Sequence, residues 1–274
     1  MKHSRIEEHS ELKVAIAAAR LGGEVLLRFL HQTLEIQEKG TNDLVTNADI
    51  ESERVITEHI RQHFPEHNFL AEEGHSNLAD QSDAEHLWII DPLDGTTNFA
   101  HGIHHFAVSI AYYKNGQPEC GVVLNPARDE VFLAARGAGA YFQGKAISVG
   151  QQTSLSDVLV GVGFYYDRGE MMRATLATIE SLFESQMRGI RRFGTASLDL
   201  CQVALGNYGA FFEYQLSPWD FAAGRLIVDE AGGRVTTATG TELPIETSTL
   251  LASNTHLHAA MLETIDQSAG KFLH

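Results

Sequence analysis

Early in the chain, apolar residues recur at the spacing of a helix. Between residues 11 and 30, Leu12, Val14, Ala15, Ala18, Leu21, Val25, Leu26 and Phe29 form one stripe. The Gly22-Gly23 pair within it lowers helix propensity and permits a neighbour to pack closely. A polar loop over 38–43 leads into Leu44-Val45-Thr46, and a second helix is predicted over 49–64, ending before Pro65. The period then shortens. Residues 68–71, 87–90, 106–113, 120–124 and 130–135 read as strands, with turns at Asn115-Gly116 and Asn125-Pro126. Beyond a polar stretch at 150–156, strands at 157–164, 208–213 and 250–253 alternate with helices at 168–183, 197–205, 219–230 and 256–265. This order predicts layered α and β structure with two sheets, in an N-terminal half (1–150) and a C-terminal half (151–274) that form one unit.

The 274 residues carry 36 acidic and 20 basic side chains, a formal charge of −16. That balance argues against direct nucleic-acid binding, which rests on basic patches. It leaves phosphate substrates open, because bound cations invert the local field. Cys120 and Cys201 are the only cysteines, far apart, so neither a disulfide framework nor a thiolate metal site is expected. No apolar run is long enough to span a bilayer, and the first eight residues lack the apolar core of a signal peptide. A reducing cytoplasm fits.

The most informative chemistry follows the run Trp88-Ile89-Ile90. Asp91 and Asp94 come at its end, followed at once by Gly95, Thr96, Thr97 and Asn98. Two carboxylates at a strand mouth disfavour joint ionisation unless a cation intervenes. Mg²⁺ takes oxygen ligands and leaves room for phosphate oxygens. Gly95 lets backbone approach an anion, and the threonines offer donors at a helix start. Asp, Gly and Thr are also common turn residues; the preceding apolar run tips the balance towards a site.

Glu72-Glu73 repeats the design, following Phe69-Leu70-Ala71 and preceding Gly74. Asp220 falls in the first turn of a helix just after Pro218, and Asp49 follows Thr46; capping and dipole compensation account for both equally well. Arg191 and Arg192, before Gly194-Thr195-Ala196-Ser197, suit either an anion or an ordinary surface. Gly137-Ala138-Gly139 reads as a hairpin turn, and His101, His104 and His105 match no zinc motif. No Gly-x-Ser-x-Gly elbow is present.

Taken together, the blocks at 43–49, 72–73, 88–99 and 219–224 resemble the inositol monophosphatase family of Mg²⁺-dependent phosphatases, in order and at similar spacing. The resemblance implies a layered αβαβα sandwich, a homodimer, lithium sensitivity and two or three Mg²⁺ per site. It implies metal ligation by Glu72, Asp91, Asp94 and Asp220 and by the Leu93 carbonyl. Asp49 and Thr96 would orient the attacking water. Gly95 and Thr96 would hold the phosphate, while Gly194, Thr195, Ala196 and Glu213 would line the alcohol side with Asp220. Lys39 would lie on a mobile loop near a weaker metal site, with Glu73 helping indirectly. The N-terminal half would then carry most metal ligands. The implied reaction is hydrolysis of a polyol phosphate by metal-activated water, inositol 1-phosphate leading. Histidinol phosphate, fructose 1,6-bisphosphate and 3′-phosphoadenosine 5′-phosphate are alternatives.

Two other readings stay open. Asp-x-Asp-Gly-Thr opens the site of haloacid-dehalogenase-type phosphatases, whose first Asp is a nucleophile; the spacing here is one residue longer. Some bacterial relatives in the resembled family act as protein partners in transcription and ribosomal RNA synthesis, so a protein partner is the non-enzymatic alternative.

Overall fold

The computed structural model describes residues 9–30, 36–40, 43–74, 84–164 and 168–273. Side chains of 36–45, Lys39 among them, lie outside the described ones. Helix α1 (Ser10–Phe29) is followed by β1 (Ile36–Gly40), β2 (Asp43–Thr46) and helix α2 (Asn47–His63). Residues 38–40 and 43, read as part of a polar loop, thus lie in two strands that pair antiparallel; their polar composition masked these short strands. Strands β3 (Asn68–Ala71) and β4 (His86–Asp94), helix α3 (Thr96–Ala100), and strands β5 (Ala107–Lys114), β6 (Gln117–Asn125), β7 (Glu130–Ala135), β8 (Gly139–Phe142) and β9 (Lys145–Ala146) come next. Beyond them are β10 (Leu159–Val162), α4 (Glu170–Glu184), β11 (Gly189–Arg191), α5 (Ala196–Ala204) and β12 (Ala210–Leu216). The chain closes with α6 (Pro218–Glu230), β13 (Gly233–Thr236), β14 (Ser248–Asn254) and α7 (His258–Leu273).

Strands β3 to β9 form a seven-stranded sheet in sequence order, antiparallel apart from the β3–β4 pair. The second sheet has five strands in the order β11-β10-β12-β14-β13. Strand β4 explains the stacking. Its alternate residues Trp88 and Ile90 join one core with α1 and α2, while Leu87 and Ile89 join another with α5 and α6. A strand buried on both faces reads as the continuous apolar run seen in the sequence. Phe212 and Tyr214 of β12 face a third core with α4 and α7. The result is the αβαβα layering, with α5 and α6 between the sheets. Gly22 fits α1 against α2, since a Cβ there would lie 2.6 Å from Ile56. Asn115 and Gly116 both have positive φ, as a tight hairpin turn requires.

Candidate active site

Strands β4 and β5 stay in register to Asp91↔Ser109, then shift so that Asp94 faces Ala107. Pro92 and Leu93 therefore stand opposite the single Val108. On a regular strand, side chains three apart point to opposite faces. The extra residue restores Asp91 and Asp94 to one side. Pro92 suits this position because it has no N–H to offer the ladder. The longer Asp-x-x-Asp spacing thus has a structural cause. The Leu93 N–H donates to Asp91 Oδ1 at 3.0 Å, which holds the turn.

Asp220 reaches the same place from helix α6, which follows β12 of the other sheet. Strand β12 also shifts register, between Glu213 and Leu216, before Ser217 caps α6. The Ser217 N–H donates to Asp220 Oδ2 at 2.7 Å, so Asp220 does cap its helix. It simultaneously joins Asp91 and Asp94, with one oxygen of each lying within 4.8 Å of the others. Capping and clustering are compatible because a carboxylate has two oxygens. Asp49 shows the same economy. Its Oδ2 accepts from the Thr46 N–H (2.8 Å) and hydroxyl (2.5 Å), and its Oδ1 accepts from the Thr96 hydroxyl at 3.1 Å.

Asp91, Asp94 and Asp220 face a cavity of about 410 Å³, lined also by Glu72, Leu93, Gly95 and Thr96. Phe164, Arg168, Arg192, Gly194, Thr195, Ala196, Asp199 and Glu213 line it as well. Gly95 begins α3 with φ +94°, where a Cβ would meet Thr195 Oγ1 at 2.6 Å. The Asn98 side chain donates to the carbonyls of Phe193 and His105, each at 2.8 Å, and so ties α3 to the segment before α5. Glu72 lines the cavity outside the tight trio. Glu73 lies further off, its N–H donating to Glu53 at 2.7 Å. Of the paired arginines, Arg192 reaches the cavity, whereas Arg191 donates to the carbonyl of Ile190.

The site is electrostatically costly without a cation. Burial, with Glu72, Asp94 and Asp220 facing it, pushes Asp91 well above the usual carboxylate range. Burial and Asp94 do the same to Asp220. Burial raises Asp94 to about 6 against the pull of Ser197, and Asp49 to about 6 against that of Thr46. Burial also lifts Glu213 to about 8, although Arg192 opposes it. A donor set of carboxylates and backbone carbonyl, with no His or Cys among the cavity's described lining, fits a hard divalent cation such as Mg²⁺. Asp91, Asp94 and Asp220, with Glu72 and the Leu93 carbonyl beside them, are the residues able to hold it.

Asp199 and Arg168 carry no sequence signal for this cavity, which they line through the tertiary fold. Asp199 sits one turn into α5, fully buried, and burial drives its carboxyl well above the usual range. Both cysteines are free and buried, and no described helix is long and apolar enough to cross a membrane.

The chain matches the inositol monophosphatase family over residues 7–269. It is 43% identical over 259 residues to the Nus factor SuhB of Pseudomonas aeruginosa, covering 93% of this chain and 95% of that protein. It is 40% identical over 259 residues to the inositol-1-monophosphatase of Rhizobium meliloti, covering 93% and 96%. The solved structure of extragenic suppressor protein suhB from Bartonella henselae superposes with a TM-score of 0.88 at 36% identity, covering 94% of this chain and 99% of that one.

Proposed function

The chain belongs to the inositol monophosphatase family, and from that premise we propose that it is a Mg²⁺-dependent phosphomonoesterase preferring inositol 1-phosphate. The observation that carries this reading is the Asp91, Asp94 and Asp220 cluster, whose oxygens are brought within 4.8 Å by strand β4 and helix α6. Asp91, Asp94 and Asp220, with Glu72 and the Leu93 carbonyl, hold two or three Mg²⁺, which when bound supply Lewis-acid charge to the phosphate and to the attacking water. The Thr96 hydroxyl, 3.1 Å from both Asp49 Oδ1 and the Leu93 carbonyl, orients the water with its lone pairs, and as it takes the water's proton it passes its own to Asp49. The backbone N–H groups of Gly95 and Thr96 bind the phosphate. Asp220 helps protonate the departing alcohol oxygen through a water held at the site, which supplies the proton, and not from its own carboxylate. Glu213 accepts from hydroxyls of the polyol, with Gly194, Thr195 and Ala196 shaping the space around it. Phosphate release from inositol 1-phosphate, histidinol phosphate, fructose 1,6-bisphosphate and 3′-phosphoadenosine 5′-phosphate tests the reading, with the first preferred. The family supports a homodimer and inhibition by lithium.

A second reading, a protein-binding role, is favoured by one observation: a relative 43% identical bears the name Nus factor SuhB. Asp220→Asn separates the two, because it alters the cluster and leaves the outer surface intact. Full complementation of a deletion strain by this variant would favour partner binding; failure would favour catalysis.

A further inference from the structure

Asp94 is held from another layer of the molecule. It ends β4 of the seven-stranded sheet, yet its Oδ2 accepts from the Ser197 N–H at 2.7 Å and from the Ser197 hydroxyl at 2.5 Å. Ser197 is fully buried in the first turn of α5. A serine there ordinarily bonds within its own helix. This hydroxyl instead leaves the helix for a residue 103 positions away. Two donors from Ser197 meet on one oxygen, and a backbone hydrogen bond from Ala196 joins them in fixing the carboxylate's rotation. Ser197 also directly follows Gly194, Thr195 and Ala196, all three of which line the cavity.

Resting on the metal reading above, we propose that Ser197 is a positioning residue whose hydroxyl orients Asp94 and thereby sets the affinity of the site for Mg²⁺. It touches neither the phosphate nor the reacting atoms. The backbone N–H survives any side-chain substitution, so the hydroxyl's share is separable from the folding of α5. Hydrogen bonds that orient a metal-ligating group are commonly worth about tenfold or more in affinity.

The test is calorimetric titration of Mg²⁺ into the metal-free wild type and the Ser197→Ala, Ser197→Cys and Ser197→Thr variants, with thermal melts in chelator. The expected result is a Kd raised about tenfold in Ser197→Ala and Ser197→Cys. Ser197→Thr, which keeps the hydroxyl, stays close to wild type, and kcat of Ser197→Ala recovers at saturating Mg²⁺. A merely structural role lowers the melting temperature in chelator without moving the Kd; that outcome overturns the proposal. Where Ser197→Ala does not fold, Ser197→Cys, close in volume, carries the same comparison. A wild type that binds no Mg²⁺ overturns the metal reading itself, and the Ser197 proposal with it.

Discussion

Asp220 shows how one side chain serves structure and chemistry together. One oxygen accepts the Ser217 N–H, and the carboxylate also joins Asp91 and Asp94. Asparagine keeps an acceptor for the cap and removes an ionisable carboxyl from a crowded site. Asp220→Asn is therefore expected to lower kcat by at least about a hundredfold. Its melting temperature in chelator should equal or exceed that of the wild type; a large loss of stability would show that the cap, and not the charge, is the residue's main role. Carboxylates ending an apolar run, as at Asp91 and Glu72, were legible in the sequence. Asp49 and Asp220 read equally as caps, and the structure shows why: they are caps as well. Ser197 and Asp199 were not legible, because their surroundings are assembled by contacts between distant segments.

At the scale of elements, the site depends on how closely α6 lies on the seven-stranded sheet. Gly121 of β6 sets that approach: a Cβ there would lie 3.0 Å from Ala223 Cα and 3.1 Å from its carbonyl oxygen. Backbone cannot step aside as a flexible side chain does. Gly121→Val is expected to cost about 1–3 kcal/mol. It should lower the melting temperature by about 2–4 °C for each kcal/mol and weaken Mg²⁺ binding by displacing Asp220. An unchanged melt would contradict the close packing. Periodicity found the long helices and the meander, though α7 runs on to Leu273, beyond the predicted 265. It missed β11 and β13, of three and four residues, and the β1–β2 hairpin, because such short strands carry too few alternations to register. The bulge at Pro92 and Leu93 was also hidden, although the Asp-x-x-Asp spacing requires something to bring both carboxylates to one face.

For the whole molecule, a cavity between two sheets gathers buried carboxylates whose proton affinities rise on folding. Burial holds Glu213 at about 8, and Asp91, Asp199 and Asp220 well above their ordinary values. Such groups retain protons in the folded state that the unfolded chain has released, so their stabilisation is lost as pH rises through the folded values. Between pH 7 and 9 the half-buried His105 and the buried His258, held near 4, stay neutral and do not oppose the trend. The melting temperature in chelator should therefore fall over that interval, Glu213 alone accounting for about 1 kcal/mol, and Mg²⁺ should restore it at pH 9. A flat profile would contradict the electrostatic account. The two-sheet layering was legible from the order of elements; which residues converge between the sheets was not, because α5 and α6 are late in sequence yet central in space. The central claim, that this convergence makes a metal-dependent phosphatase, is tested most directly by phosphate release from inositol 1-phosphate with Mg²⁺ present and chelated. Release that requires Mg²⁺ and exceeds that from the other three esters is the predicted result. No Mg²⁺-dependent release from any of the four would contradict it.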